Sequence, residues 1–337
     1  MKKIVLFILC LFVTSFFFAN DAYYFMVGGQ LVPTQESDTQ IEMQEEVINI
    51  ILEKKYYEIT VDFTFFNHGE TEELEVGFPF FCVGIGDGEI SDFKCWTDDI
   101  ETSYKDFPIK KEWRETTQLE NAYIRSIIFP SKKITKTRIY YKSTYGREAP
   151  SYFMAKYLYG TGSTWKNSIG KITVRITNNN LYYAPRWTTF PEDGSIKRTG
   201  ANSWEGIYTN VESENYTDCI TLRCGNIFGD DGPRVLSKER FLGYYKKISE
   251  KDVFFYTKAQ LRLLKNAIYA FNGYPFKSQD LIDFFEKDCV KYGWYGWDSE
   301  KDDYRQYPLD NSFNESKLTE NEKYNVYFLL ELEKFIK

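Results

Sequence analysis

Tyr57-Glu58-Ile59-Thr60-Val61-Asp62-Phe63-Thr64-Phe65-Phe66 alternates between two faces along its whole length. Tyr57, Ile59, Val61, Phe63 and Phe65 fall on one side, and Glu58, Thr60, Asp62, Thr64 and Phe66 on the other. Side chains of an extended chain point alternately to opposite faces, so this is a strand with one buried and one wet face. Asn67-His68-Gly69-Glu70 reads as a turn, and Leu74-Glu75-Val76-Gly77-Phe78-Pro79 resumes the pattern. Residues 47–81 are therefore expected to be strands, with the two alternating stretches paired as a hairpin.

Working outward, 122–129, 133–145, 153–159, 170–176 and 218–224 are further candidate strands, separated by segments rich in Gly, Pro, Asn, Asp and Ser. Repeated short strands with turn signals favour an antiparallel sandwich or barrel, placed at residues 23–232. Gly229-Asp230-Asp231-Gly232-Pro233 closes that region, and 233–256 is read as a linker. Beyond it the apolar period changes from two to about 3.6. Thr257-Lys258-Ala259-Gln260 is a capping box ahead of Leu261, Leu264, Ile268 and Phe271, and Gly273 and Pro275 end that helix. Ser278 opens a second helix that turns Leu281, Ile282, Phe284 and Phe285 inward. Thr319-Glu320-Asn321-Glu322 opens a third, lined by Tyr324, Phe328, Leu332 and Phe335. The fold class that follows is multidomain α+β: an antiparallel β-sandwich-like N-terminal domain, then a small three-helix C-terminal module at 257–337.

The start of the chain has a different character. Lys2 and Lys3 precede the run Ile4 to Ala19, broken only by Thr14 and Ser15 and followed by Asn20 and Asp21. A bilayer span needs roughly 20 apolar residues, and this run is shorter and lacks a basic stop-transfer flank. Residues 1–19 are read as a signal peptide cleaved near Ala19, which places the mature protein in the periplasm, at the cell surface or outside. No later segment is apolar enough to span a membrane, and mean hydropathy is −0.46.

The formal charge of −7 becomes −9 once Lys2 and Lys3 are removed. That excludes nucleic acid as an expected partner, because phosphate binding calls for basic surface. Aromatic residues make up 18% of the chain, too many for a disordered one. Removing Cys10 leaves Cys82, Cys95, Cys219, Cys224 and Cys289, an odd count. On a strand, Cys219 and Cys224 would be roughly 16 Å apart, at about 3.3 Å per residue, and on opposite faces, too far to bridge. Cys82 and Cys95 form the expected local pair, and Cys289 is the candidate odd thiol. His68, the one histidine, lies in the Asn67–Glu70 turn. A solvated turn histidine supplies neither a zinc ligand set nor a catalytic triad.

The helical region resembles the YARHG domain, a bacterial extracellular module. The likeness runs through Leu261-Arg262-Leu263-Leu264-Lys265-Asn266-Ala267-Ile268-Tyr269-Ala270-Phe271-Asn272-Gly273-Tyr274-Pro275-Phe276-Lys277-Ser278, then Leu281, Phe285, Trp294-Tyr295 and Leu318-Thr319-Glu320-Asn321-Glu322. Phe271 and Asn272 stand where the family has Arg and His, so no role of that basic pair carries over. Gly28-Gly29-Gln30-Leu31-Val32-Pro33 and Thr161-Gly162-Ser163-Thr164-Trp165-Lys166-Asn167-Ser168-Ile169-Gly170-Lys171-Ile172-Thr173-Val174 resemble an uncharacterised family of secreted bacterial β-domain proteins, the 4424 family. Together the resemblances imply a bacterial envelope or secreted protein. Neither brings a catalytic residue.

Three patterns could carry chemistry. Asp98-Asp99, Asp230-Asp231 and Asp302-Asp303 are candidates for a glycosidase pair, which needs two carboxyls about 5–10 Å apart and no histidine; adjacent acids are more often solvated loops. Asp87-Gly88-Glu89-Ile90-Ser91-Asp92 and Asp298-Ser299-Glu300-Lys301-Asp302-Asp303 cluster oxygens suited to calcium but depart from the EF-hand pattern, so they read as turns. Trp294, Tyr295 and Trp297, interleaved with Gly293 and Gly296, are the candidate ligand-binding rings, set against a role in covering a small helical core. No catalytic constellation, metal site or cofactor motif is assigned. The expectation is a non-catalytic envelope protein that binds a cell-wall glycan or an envelope protein. A secreted carboxylate-dependent glycan hydrolase and a structural assembly subunit bridged through Cys289 are the alternatives.

Overall fold

The computed structural model describes residues 25–29, 32–33, 39–83, 90–108, 121–148, 152–160, 165–191, 194–212, 218–228, 244, 246–288, 297–298, 303–304 and 309–336. The expected signal peptide, 1–19, lies outside them.

Period-two patterning builds two sheets facing each other. The first half of the chain supplies β1 (Phe25–Gly29), β2 (Val32–Pro33), β3 (Ile41–Leu52), β4 (Tyr56–Asn67), β5 (Glu72–Val83), β6 (Ile90–Thr97), β7 (Ile100–Thr102), β8 (Lys105–Pro108), β9 (Asn121–Phe129) and β10 (Ile134–Thr144). The second half supplies β11 (Gly146–Glu148), β12 (Tyr152–Leu158), β13 (Ile169–Asn178), β14 (Tyr183–Thr189), β15 (Ser195–Arg198), β16 (Ser203–Val211) and β17 (Cys219–Asn226). Sheet I runs β14-β17-β12-β1-β5-β9-β8, with β11 beside β12 and β2 beside β5; sheet II runs β15-β16-β13-β3-β4-β10-β6-β7. The pairing is antiparallel as expected, except that β1 lies parallel to β12 and β3 parallel to β13. Those two pairs are the seams where the two halves of the chain meet, one in each sheet.

The expected hairpin does not form. β4 pairs with β3 and β10 in sheet II, whereas β5 belongs to sheet I. The Asn67–Glu70 turn is therefore an arch from one sheet to the other, and Asn67 holds it. Its Nδ2 donates to the carbonyls of Glu70 (2.6 Å) and Phe129 (2.8 Å), and its Oδ1 accepts from the Gly69 amide (2.7 Å). Both strands still bury one face, Tyr57 to Phe65 from β4 and Val76, Phe78 and Phe80 from β5. Alternation specifies a buried face; it does not specify which neighbour is across the ladder.

A bulge in β3 changes the phase of the buried face. Ile41 and Met43 point inward before it, and Glu46, Ile48, Ile50 and Leu52 after it. Gly170 makes room: a Cβ there would lie 2.6 Å from the Gln44 carbonyl oxygen. The shift carries Glu46, fully buried, into the space between the sheets. Tyr157 of the opposite sheet donates its hydroxyl to Glu46 Oε1 at 2.5 Å. Burying a carboxylate is costly unless it is hydrogen-bonded, and this contact supplies part of the compensation.

The helices follow their sequence signals closely. Helix α1 (Lys258–Phe271) has its capping box, Gln260 N to Thr257 Oγ1 at 3.1 Å and Thr257 N to Gln260 Oε1 at 2.9 Å. It buries Leu261, Leu264, Ile268 and Phe271 and ends at Gly273, whose φ of 79° suits glycine. Helix α2 (Gln279–Ile282) runs into a π turn at Asp283–Asp288 and buries Leu281, Phe284 and Phe285. Helix α3 (Glu320–Phe335) starts at the Thr319 capping box, but its buried face differs from the expected one. Glu322, Asn325, Val326 and Leu329 turn inward, while Tyr324 is 42% and Phe335 79% exposed. The polar Asn325 is drawn in because it is used: Oδ1 accepts from the Ile248 amide (2.7 Å) and Nδ2 donates to the Lys246 carbonyl (2.8 Å).

The same bonds revise the reading of 233–256 as linker. Ile248, Val253 and Tyr256 are buried in the second core together with α1 to α3, and Glu250–Val253 is a 3-10 turn. That core also takes Ala184, Ile227 and Phe228 from the ends of β14 and β17. The helical unit is thus packed onto the sandwich. Gln260, fully buried, donates across the contact to the carbonyls of Asn180 (2.7 Å) and Tyr183 (2.9 Å), and the Tyr256 hydroxyl donates to that of Ile227 (2.8 Å).

Candidate functional sites at the helical unit

The residues singled out by sequence are not gathered in one place. Trp294, Tyr295, Cys289 and Asp230-Asp231 lie outside the described residues, and Trp297 is described only as backbone, in a short ladder with Tyr304. Asp98 and Asp99 form a tight turn with φ of 47° and 65°, where Asp98 Oδ1 accepts from the Lys136 amide at 2.9 Å. That is a turn role, stabilising left-handed backbone that Asp tolerates. Asp92 pairs with Lys142 at 3.0 Å. Among the described residues no group of three His, Cys, Asp or Glu side chains is placed to hold a metal ion.

His68 sits at the arch and meets Glu42 at 2.7 Å; this hydrogen bond holds the Glu42 carboxyl below its ordinary range. Cys95 is buried and free, and its thiol donates to the Thr102 carbonyl at 3.3 Å. The side chain of Cys82, its expected partner, lies outside the described residues. Cys219 and Cys224 are also free. They fall on opposite faces of β17, as the spacing predicted.

Two concave surfaces do form at the helical unit. The first is a groove of about 290 Å³ between α1, α3 and the loop before α3, lined by Tyr269, Tyr327, Glu315, Ser316, Lys323 and Leu318. Tyr327 is 63% exposed. Tyr269 donates its hydroxyl to Glu315 Oε1 at 3.0 Å, and burial together with that carboxylate pushes its phenol up to about 12. Flat rings beside a carboxylate, a hydroxyl and an ammonium suit a ligand with both polar edges and apolar faces.

The second is a cavity of about 420 Å³ where the helical unit meets the β15–β16 hairpin. Val253, Phe254, Leu332 and Phe335 give it an apolar wall, and Arg198 and Glu250 are its charged residues. Arg198 closes β15 and lies over the Trp204 ring at 4.6 Å. Its Nη2 donates to the carbonyls of Phe254 (2.7 Å) and Tyr256 (2.6 Å), and Trp204 Nε1 donates to the former at 3.0 Å. Burial lowers the guanidinium to about 10, so it is charged at neutral pH. The apolar face that the sequence marked on α3 is not wasted: Leu332 and Phe335 form one side of this cavity.

Asn272, at the position where the helical family carries His, donates to Glu322 Oε1 at 2.8 Å and to the Ile268 carbonyl at 2.8 Å. Glu322 is fully buried and also accepts from the Thr319 amide. Phe271 is 5% exposed in the second core. Both departures from the family pattern are therefore structural in this chain.

Comparison with known proteins agrees with this architecture. Residues 244–334 match the YARHG domain. A solved structure from Legionella pneumophila, of a protein described as a "putative nutrient binding protein", is 18% identical, with a TM-score of 0.52 over 93% of this chain and 99% of that one. At that identity the likeness is one of fold, and it spans sandwich and helical unit together. An M1 zinc metallopeptidase from Deinococcus radiodurans is 10% identical and aligns with 56% of this chain and 43% of its own, at a TM-score of 0.30. No curated protein matches the chain.

Proposed function

We propose that this is an exported, non-catalytic binding protein of the bacterial envelope, and that it binds cell-wall glycan through its helical unit. The observation that carries the reading is the groove in which Tyr327 and Tyr269 lie beside Glu315, Ser316 and Lys323. A sugar ring offers an apolar face for stacking and hydroxyls for the polar rim, and this lining answers both. The fold shared with the Legionella protein, described as a nutrient binding protein, is consistent with it.

The test is retention of the mature chain on isolated cell wall, with envelope protein extract as a parallel arm. Retention by cell wall, reduced at least tenfold in Tyr327→Ala, supports the reading. Retention by envelope protein alone would move the partner to the protein class, and retention by neither would sink the proposal. Tyr327 is exposed, so its removal leaves the fold intact.

A further inference from the structure

The cavity between the helical unit and the β15–β16 hairpin has features that the glycan reading does not use. Its wall is apolar, but it is lined by one cationic and one anionic side chain that do not neutralise each other. Arg198 spends Nη2 on two backbone carbonyls, and its Nη1 is buried with no hydrogen-bond partner among the described residues. Among the described residues it has no carboxylate within ion-pair distance, and desolvation alone accounts for its lowered pKa. Glu250, exposed at the start of the 3-10 turn, forms no ion pair among the described residues. A desolvated cation without an anion is costly, and carbonyl dipoles and the Trp204 face offset only part of that cost.

We propose that this cavity binds a small zwitterion with an apolar side chain, an apolar amino acid or a short apolar peptide. Its carboxylate lies against Arg198, its ammonium against Glu250, and its side chain on Phe254, Leu332 and Phe335. The volume of about 420 Å³ falls within the range of small-molecule sites, about 300–1,000 Å³. Only a ligand carrying both charges complements both side chains. A fatty acid would leave its chain facing Glu250, and a dianion would be repelled there.

The inference extends the reading of the protein as a binding protein, but it concerns a different surface, so the two fail separately. Calorimetric titration of the full mature chain with leucine and Leu-Leu tests it, with N-acetyl-leucine (no ammonium) and leucine amide (no carboxylate) as controls. Saturable binding of leucine or Leu-Leu, weakened at least tenfold by blocking either end, is expected; which of the two binds tighter sets the ligand's length. Glu250→Gln is expected to abolish the preference for leucine over N-acetyl-leucine while leaving cell-wall retention unchanged. Phe335→Glu, at an exposed wall position, is expected to weaken binding at least tenfold. Absence of binding by leucine and Leu-Leu overturns the proposal, as does equal binding of the blocked compounds or an unchanged preference in Glu250→Gln.

Discussion

Replacing Tyr157 by Phe removes one oxygen from the middle of the sandwich, and its cost can be worked from the structure. The hydroxyl donates to the carboxylate of Glu46 at 2.5 Å, between two sheets, with both residues fully buried. A hydrogen bond to a charged group contributes about 1.5–3 kcal/mol, and unpairing a buried charge altogether costs about 3–5 kcal/mol. Glu46 keeps a further interaction, so the lower range applies, and Tyr157→Phe is expected to destabilise by about 1.5–3 kcal/mol. At about 2–4 °C per kcal/mol for a unit of this size, the melting temperature falls by about 3–12 °C. The decisive assay is a double-mutant cycle in urea with Glu46→Leu, which removes the acceptor. If the bond carries the effect, the two losses are strongly non-additive, with a coupling of at least about 1 kcal/mol. Additive losses, or a Tyr157→Phe cost below about 0.5 kcal/mol, would refute the claim that this contact compensates the buried carboxylate.

Gly170→Ala places a Cβ 2.6 Å from the Gln44 carbonyl oxygen, so it should cost about 1–3 kcal/mol by displacing the bulge; a neutral result in urea unfolding would remove the bulge argument. Gln260→Ala removes the return bond of the α1 capping box, from the Thr257 amide, and leaves the carbonyls of Asn180 and Tyr183 without their donor. A loss of about 2–4 kcal/mol follows, read as faster amide exchange in α1, whereas the exposed Gln279→Ala should leave exchange there unchanged. Phe271→Arg buries a guanidinium in the second core and should cost at least about 3 kcal/mol, while Asn272→His can keep the bond to Glu322 and should cost under about 1 kcal/mol; equal effects would contradict the structural account of both positions. Burial raises the phenol pKa of Tyr57, Tyr141 and Tyr157, and the last is raised further by Glu46. The unfolded chain ionises these groups near about pH 10 and the folded chain later, so their contribution is whole below about pH 10 and lost as pH rises past it. Tyrosinate absorbance from these residues should therefore appear only with alkaline unfolding, and their ionisation with unchanged near-ultraviolet dichroism would contradict it.

Elements whose signal is local were legible. The alternation from Tyr57 to Phe66 gave a strand, Thr257 with Gln260 and Thr319 with Glu322 gave helix starts, and Gly273 gave a helix end, because each depends on residues within one turn or one strand. Strands with weaker alternation, such as β14 and β16, were not anticipated. The candidate surfaces were less legible still. Tyr269 and Tyr327 come together only when α1 and α3 pack, and Arg198 meets Leu332 only across the contact between hairpin and helix.

The two classes of structure can be read from the chain alone, since period two and period 3.6 are properties of consecutive residues and survive any arrangement of the pieces. Packing between distant segments makes Asn67–Glu70 an arch and not a hairpin, buries Glu46 against Tyr157 through a bulge, and turns Asn325 of α3 inward while Phe335 faces the cavity. In each case an apolar pattern says that a face is to be covered, and what covers it is set by residues far along the chain.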